Sequence, residues 1–300
     1  MTFKALNPSR FLARATPYAM LAPAVLVTAA IVFVPVGRTM LLSLHDMVLF
    51  RPHDVPFVGL ANYTRAFADQ VFWISVGNSL LWVGLAVALQ FLLGFVTALL
   101  LHRSFWWRDA ARALVVVPWA LPSVIIGLMW TWMYDFNLGV MNDALVRLGV
   151  IAKPIAWLAD PDLALYAVIL TLTWQGFPFF AVVLLAGLQA IPAELYEAAE
   201  VDGASAWQRL LYITIPSLAG VMATALLLRT IWVANSLDVI LVMTGGGPGL
   251  GTHTLPLYAF LRAYSGMEFG YGAALAVLLT LALLGVVVAY VVRAAREAGS

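Results

Sequence analysis

The stretch Glu197–Ala204 reads EAAEVDGA, and the tetrapeptide Ile213–Pro216 (ITIP) follows it a short distance along the chain. This segment separates two long apolar runs in a sequence that is otherwise almost entirely hydrophobic. A short connection that carries several carboxylates beside a bilayer predicts a docking surface for a basic partner, rather than a passive link. The carboxylates concerned are Glu194, Glu197, Glu200 and Asp202.

The composition around this segment excludes a soluble domain. Hydrophobic residues make up 63% of the chain, charged residues only 10%, and the mean hydropathy is +0.96, whereas soluble domains carry about a quarter charged residues. The chain has no cysteine, which excludes disulfides, thiolate chemistry and cysteine-ligated metals. The net charge of +1 gives no sign of nucleic-acid binding, so the expected medium is a lipid bilayer.

Six apolar runs are long enough to cross a membrane, since about 20 consecutive apolar residues span the hydrocarbon core as a helix. We therefore expect an all-α, polytopic membrane protein with six transmembrane helices. The first run is too long and too interrupted by prolines for a signal-peptide core, and we expect it to remain as a span. The runs are 17–44, 72–101, 111–134, 163–190, 217–243 and 272–292.

Basic residues are concentrated in the short loops on one side of these spans, which by the positive-inside rule places both termini in the cytoplasm. The predicted organisation is a cytoplasmic segment (1–16), a six-helix transmembrane domain (17–293) and, within that domain, a cytoplasmic loop (193–212). The cytoplasmic group comprises Lys4, Arg10, Arg14, Arg103, Arg108, Arg112, Arg209, Arg293 and Arg296. The opposite side holds Arg38, Arg51, Arg65, Arg147, Lys153 and Arg262, spread over longer loops.

The sequence of the 193–212 loop predicts two short helices on the membrane surface. Ala193–Val201 consists of strong helix formers, and Gly203 is suited to the left-handed residue that ends such a helix. A second helical piece is expected over Ser205–Tyr212, after which Pro216 can open the next span. By chemistry alone, a solvated acidic loop explains these residues as well as a docking surface does.

The spacing of the motif decides between these two interpretations. Glu-Ala-Ala, then Asp-Gly-Ala, then Ile-x-x-Pro resembles the EAA signature of binding-protein-dependent ABC importer permeases. The resemblance extends over most of the chain and is to the carbohydrate-uptake branch (maltose/glycerol-phosphate type), in the first of its two permease types. The supporting segments are Pro17–Val25, Gly59–Tyr63, Pro118 with Trp130 and Trp132, Gly187–Pro192, and Thr244–Pro248 with Thr252.

The resemblance implies a type I importer permease fold in the cytoplasmic (inner) membrane of a bacterium. It also implies four kinds of partner: a second permease, two ATP-binding subunits, an extracytoplasmic substrate-binding protein and a sugar. In this family the loop transmits ATPase closure to the spans. Glu197 would contact the ATPase, Ala198 and Ala199 would allow close packing, and Gly203 would shape the turn. The full predicted coupling set is Glu194, Glu197, Ala198, Ala199, Asp202, Gly203 and Pro216.

No catalytic or metal site is expected in the chain itself. The only lysines are Lys4 and Lys153, and neither lies in a glycine-rich loop, so a P-loop is excluded. The four histidines are scattered without metal-ligand spacing. ATP and Mg²⁺ would therefore bind to a separate subunit, and this chain would not be an enzyme.

Polar residues inside the predicted spans are candidates for a substrate site, since such residues are costly in a membrane. Trp232, Asn235 and Asp238 recur at three-residue steps, which predicts that they share one face of the fifth span. That face would combine an aromatic ring with an amide and a carboxylate, and this combination suits a sugar. Pro178 predicts a kink in the fourth span beside Gln175. The resemblance adds that Gln175, Gly176, Phe179 and Asn235 fall where the maltose-type permease contacts sugar. The predicted set is Trp174, Gln175, Gly176, Phe179, Trp232, Asn235 and Asp238.

Alternative roles remain for several of these groups. Gln175 and Asn235 are equally suited to hydrogen bonds between helices, and for Arg229 a structural role is favoured over a functional one. An ion- or proton-coupled secondary transporter, with Asp238 and Arg229 as a relay, is the rival hypothesis. It would need no acidic docking loop, and the six spans show no evident inverted repeat. The sequence leaves the identity of the sugar open, and also the choice between a homodimer and a heterodimer.

Overall fold

The computed structural model describes residues 8–51 and 53–298, and these form a helical bundle with two isolated β-bridges, His45–Phe57 and Val48–Glu268. In chain order the helices are α1 (Pro8–Leu42), α2 (Ala61–Ala68), α3 (Gln70–His102), α4 (Arg108–Ala120), α5 (Ser123–Met133), α6 (Val140–Arg147), α7 (Ala164–Gln189), α8 (Ala193–Val201), α9 (Ala206–Arg209), a π-helical segment (Leu210–Thr214), α10 (Ile215–Asn235), α11 (Asp238–Met243), α12 (Leu255–Tyr264) and α13 (Phe269–Ala298).

Five stretches of helix are long and apolar enough to cross a membrane, by length and composition. They lie in α1, α3, α7, the run Ala206–Met243 and α13, and they confirm five of the six predicted spans. The predicted segment 1–16 lies partly outside the described residues, which begin at position 8, within α1. Because these spans are apolar on most of their surface, the prediction of an all-α membrane protein is confirmed.

The third predicted span is not one continuous helix. Over 111–134 the structure has α4 and α5, which meet at an angle of 95°. Leu121 has an extended backbone at the junction (φ −78°, ψ 139°), because Pro122 disfavours the helical conformation in the residue before it. The bent pair taken together is the sixth candidate span, and the sequence analysis did not predict the bend itself.

The fifth predicted span is also interrupted. Helix α10 ends at Asn235, Ser236 is extended (φ −76°, ψ 126°), and α11 begins at Asp238. The expectation that Trp232, Asn235 and Asp238 share one helical face is wrong, because the break ends the helical periodicity before Asp238. The fourth span, by contrast, continues as α7 through Pro178 without an interruption.

The core of the bundle surrounds α7, whose most apolar window is 67% buried. Helix α7 packs most extensively on α3. At that contact Gly94 leaves room for close approach, since a Cβ there would lie 2.8 Å from the Phe177 carbonyl oxygen. Trp82, Ile126 and Phe180 fill the surrounding core. Helices α1 and α13 lie at the periphery, where α1 packs mainly on α13 and buries none of its apolar window.

A second, smaller cluster joins α2, α12 and α13 to the start of α3. Asp69 caps α3 by accepting the Val71 N–H at 2.9 Å, and it also accepts the hydroxyl of Tyr271 at 2.9 Å and that of Tyr258. Burial raises the pKa of Asp69, but these hydrogen bonds outweigh that effect and hold the pKa below its ordinary value. The cluster fixes α12 and α13 to one end of the bundle.

Candidate functional site

A cavity of about 300 Å³ lies where the two interrupted spans meet α7. The α4–α5 junction forms one wall, α7 a second, and the end of α10 a third, so both helix breaks border the cavity. A break exposes backbone and polar groups that a continuous helix would keep covered, which is tolerated in a membrane only inside protein or beside a cavity. The lining residues are Trp119, Leu121, Pro122, Ser123, Leu172, Gln175, Arg229, Trp232, Val233 and Ser236.

Aromatic rings form one part of the cavity region. Trp232 lines the cavity, and its ring lies edge-on to Phe179 with 5.2 Å between centroids. Phe179 also contacts Trp119, a second lining residue, at 6.0 Å. Phe179 is buried behind these two tryptophans. Trp232 and Phe179, which both belong to the predicted set, therefore lie against each other, and Trp119 is an addition that the bend after α4 brings to them.

Gln175 is both a cavity residue and a helix-to-helix contact. Its Nε2 donates to Ser123 Oγ at 3.1 Å, which joins α7 to the first turn of α5. Both side chains line the cavity. The two roles that the sequence offered for Gln175 are thus compatible, because an amide held by one hydrogen bond keeps further donor and acceptor capacity.

Arg229 is buried at the cavity wall, with 7% of its surface exposed. Its Nε donates to Gln90 Oε1 at 2.6 Å, and Gln90 Nε2 in turn donates to the Leu172 carbonyl oxygen at 2.9 Å. The guanidinium carbon lies 5.9 Å from the centre of the Phe179 ring. Three helices, α3, α7 and α10, are therefore connected through Arg229, which agrees with the structural role favoured from the sequence.

Gly176 provides the space that this arrangement needs. A Cβ at position 176 would clash with the Arg229 guanidinium and would lie 2.5 Å from the Gln90 side-chain carbonyl carbon. The residue is buried behind the arginine and does not line the cavity. Its position predicts a packing requirement, in addition to the substrate role assigned to it by resemblance.

Three other predicted substrate residues lie away from the cavity lining. Trp174 packs edge-on against Trp130 at 5.8 Å, within the core cluster. Asn235 is exposed, and its Nδ2 donates to the Ile231 carbonyl oxygen of its own helix at 2.8 Å. Asp238 is exposed beyond the α10 break. In the described part of the chain no ion pair joins it to Arg229, as a relay would require.

Sequence reasoning missed Gln90, Ser123 and Trp119. Gln90 had a usable signal, because it is an isolated amide in the apolar run 72–101 and such groups usually have an interhelical partner. Its actual partner is 139 residues away, which no local pattern reveals. Ser123 and Trp119 reach the cavity because α4 and α5 meet at a bend, and the sequence analysis did not predict a bend there.

The acidic loop is exposed along its whole first helix. Helix α8 buries none of its side chains, and Glu194, Glu197, Ala198 and Asp202 are exposed while Ala199 is half-buried. Apolar groups are exposed as well, with Val201 at 88%. An exposed surface that mixes carboxylates with apolar side chains is suited to protein contact.

The turn after α8 has the predicted glycine geometry. Gly203 has φ +77°, its N–H donates to the Glu200 carbonyl oxygen at 3.0 Å, and the Ala204 N–H donates to the Ala199 carbonyl oxygen at 2.8 Å. This pair of bonds is the Schellman motif, which requires a left-handed residue after the helix. The predicted bounds of α8 and the predicted turn are confirmed.

The second helical piece of the loop differs from expectation, because it does not end at Tyr212. Ser205 caps α9 in a capping box with Gln208, and the chain then continues through the π segment into α10. Pro216 has no N–H to give and its ring crowds the preceding turn, which accounts for the local change of helical pitch. The loop is therefore continuous in helical structure with the fifth span.

Two side-chain contacts tie the two arms of the loop together. The Tyr196 hydroxyl on α8 lies 3.0 Å from Thr214 Oγ1 in the π segment, and Arg209 on α9 pairs with Glu200 on α8. Glu200 is thus satisfied within the loop, whereas Glu194 and Glu197 remain directed to solvent. These contacts connect α8 to the segment that leads into α10, the helix that carries Arg229 and Trp232.

A bundle of membrane-length helices, a polar cavity at two helix breaks and an exposed acidic helix define a polytopic membrane transport protein. The chain belongs to the family of binding-protein-dependent transport system inner membrane components, whose family model matches residues 90–297. The resemblance to ABC importer permeases is thereby confirmed.

Named relatives cover nearly the whole chain. The trehalose/maltose transport system permease protein MalF of Thermococcus litoralis is 40% identical over 273 residues, 91% of each chain. The sulfoquinovosyl glycerol transport system permease protein SmoG of Agrobacterium fabrum is 38% identical over 260 residues, 87% of this chain and 84% of the relative. The trehalose transport system permease protein SugA of Mycobacterium tuberculosis (strain H37Rv) is 30% identical over 271 residues, 90% of this chain and 86% of the relative.

The fold is similar to that of a bacterial ABC transporter involved in the import of the acidic polysaccharide alginate. The TM-score is 0.83, with 97% of this chain and 99% of the other covered at 21% identity. A second structure, of the bacterial alginate transporter in complex with an alginate pentasaccharide-bound periplasmic protein, gives a TM-score of 0.80 over 94% of each chain at the same identity. At this level of identity the likeness shows the fold alone.

Proposed function

We propose that this chain is a permease subunit of an ABC importer for a carbohydrate, either a mono- or disaccharide or a sugar derivative. The observation that carries the proposal is the family match together with relatives whose names specify trehalose, maltose or sulfoquinovosyl glycerol. The chain works with a second permease, two ATP-binding subunits that hold ATP and Mg²⁺, and an extracytoplasmic binding protein. It resides in the cytoplasmic membrane of a bacterium, with its termini and loop 193–212 in the cytoplasm.

The cavity is the proposed sugar site. Trp232 offers a flat aromatic surface to the apolar face of a sugar ring, and Gln175 with Ser123 offers hydrogen-bonding groups for hydroxyls. A volume of about 300 Å³ is at the lower end of the range for small-molecule sites. A site that holds its ligand with few contacts suits a transporter, because the sugar must also leave.

The acidic loop is the proposed coupling element. Glu194 and Glu197 face outward from α8 and suit a basic groove on the ATP-binding subunit. Closure of the ATPase pair would move α8, and the Tyr196–Thr214 contact and the continuous helix would carry this movement to α10. Because α10 ends at the cavity, the movement would change the access to the sugar site from one side of the membrane to the other.

Copurification tests this proposal against the rival secondary transporter. A tagged chain purified in mild detergent should retain an ATP-binding subunit, and the substitution Glu197→Lys should release it by placing a cation against a basic groove. The matched control is Asp162→Lys, which reverses the charge of an exposed carboxylate outside the loop and should leave the complex intact. A functional transporter that purifies without any ATPase would contradict the proposal.

A further inference from the structure

Within the described part of the chain, the positive charge of Arg229 has no counter-charge. Among residues 8–51 and 53–298, every ion pair involves other groups, so no carboxylate lies within ion-pair distance of this guanidinium. Its protein hydrogen bond is the one from Nε to the neutral amide of Gln90. A buried cation at a membrane-embedded site is costly unless an opposite charge or several acceptors face it.

The guanidinium is also held in a fixed position beside the cavity. Gln90 binds it from α3, the ring of Phe179 lies on another side, and the absence of a side chain at Gly176 leaves the space that it occupies. Arg229 lines the cavity although it is more than nine-tenths buried. Its terminal nitrogens, Nη1 and Nη2, have no hydrogen-bond partner in the described part of the chain.

An arginine arranged in this way is suited to one kind of ligand group. The planar guanidinium presents paired N–H donors whose geometry matches a carboxylate, sulfonate or phosphate. The neighbouring cavity residues, Gln175, Ser123 and Trp232, are neutral. They can contact the hydroxyls and ring of a sugar, but they supply no opposite charge that would neutralise the arginine.

We propose that Arg229 binds an anionic substituent of the imported carbohydrate, and hence that the substrate is an acidic sugar bearing a carboxylate. This inference rests on the proposed function and narrows its substrate class. The Gln90 bond orients the arginine, and Gln175 and Trp232 contact the remainder of the sugar. A neutral sugar would fit the same cavity but would leave the guanidinium without its counter-charge.

The test compares two probes that differ only at C6, methyl β-D-glucuronide and methyl β-D-glucoside. Their equilibrium binding is measured on the full-length chain, purified with the subunits that accompany it and without binding protein. The wild-type complex should bind the glucuronide at least about tenfold more tightly, the size expected for one charge-assisted contact. Arg229→Gln should reduce glucuronide affinity to that of the glucoside, and Arg229→Lys should retain part of the preference.

The control substitution is Arg147→Gln, which removes an exposed arginine paired with Asp143 on α6 and should leave both affinities unchanged. Equal binding of the two probes by the wild type would overturn the acidic-sugar inference while leaving carbohydrate import intact. Binding of neither probe by a complex that hydrolyses ATP would refute the sugar cavity itself, and this inference with it. If Arg229→Gln fails to assemble, the comparison of glucuronide and glucoside binding by the wild-type complex still tests the acidic-sugar inference.

Discussion

Gly203 is the residue on which the geometry of the acidic loop depends. Its φ of +77° lies in the left-handed region, where a β-branched side chain costs about 1–2 kcal/mol or more. We expect Gly203→Val to displace α9 relative to α8 and to abolish binding-protein-stimulated ATPase activity. Gly149→Val is the matched control, because Gly149 has φ +71° and open space around it but lies outside the loop. Equal loss of stimulation in both variants would contradict a specific role for the loop.

Gln175 and Asn235 separate two possible positions of the sugar site. Gln175 lines the cavity, whereas the amide of Asn235 is bonded to its own helix and lies outside the lining. We expect Gln175→Ala to weaken uptake several-fold in apparent affinity, in line with the loss of one neutral hydrogen bond of about 0.5–1.5 kcal/mol. Asn235→Ala should have a smaller effect. Uptake is measured against sugar concentration, with membrane abundance in parallel. A larger loss of apparent affinity in Asn235→Ala than in Gln175→Ala would place the site beyond α10.

The role of a residue could be predicted from the sequence where its contacts are with neighbouring residues, and could not be predicted where its contacts are distant in sequence. Gly203 could be assigned from sequence because the helix before it and the turn after it involve only neighbouring residues. The Arg229–Gln90 bond could not be assigned, since its partners are 139 residues apart. Asp238 was misplaced for a related reason, because a regular three-residue spacing indicates a shared face only if the helix is unbroken.

At the scale of elements, the Tyr196–Thr214 contact links α8 to the π segment that leads into α10. We expect Tyr196→Phe to keep the complex assembled but to lower sugar uptake per ATP hydrolysed, because the loop would move with less effect on α10. Tyr264→Phe is the control, since Tyr264 is exposed on α12 and far from the loop in sequence. Unchanged coupling in Tyr196→Phe, measured in proteoliposomes, would show that the helix alone transmits the movement.

The membrane spans themselves were largely predictable, because span length and apolarity are properties of a continuous stretch of sequence. The bends were not predicted. A run of apolar residues gives the same signal whether it forms one helix or two, and the 95° angle between α4 and α5 depends on Pro122 and on the packing around it. Two walls of the cavity depend on these helix breaks, so the predicted substrate set contains Gln175 and Trp232 of its lining but not Trp119 or Ser123.

At the scale of the whole molecule, two properties concern the membrane: the apolar outer surface of the bundle and the side on which each loop lies. Helices α1 and α13 expose almost all of their apolar windows, which suits contact with lipid and with a second permease subunit. The distribution of arginines predicts the side of the membrane on which each loop lies, and this can be tested because the chain has no cysteine of its own.

We expect Ser104→Cys to react with a membrane-impermeant thiol reagent only from the cytoplasmic side, and Lys153→Cys only from outside. Both positions are exposed and carry no side-chain bond in the described structure. Labelling is measured on intact cells and on inverted vesicles. Reversed accessibility would place the 193–212 loop outside, away from any source of ATP, and would contradict the coupling proposal.

The central claim is that ATP hydrolysis on a partner subunit drives sugar through this chain. The most direct test is sugar uptake into proteoliposomes that contain the complete complex, with binding protein and sugar on one side and ATP on the side of loop 193–212. We predict that uptake requires ATP hydrolysis, persists when a protonophore and ionophores collapse all ion gradients, and is abolished by Glu197→Lys. Uptake that proceeds without ATP and stops when the ion gradients are collapsed would contradict this account and favour a secondary transporter.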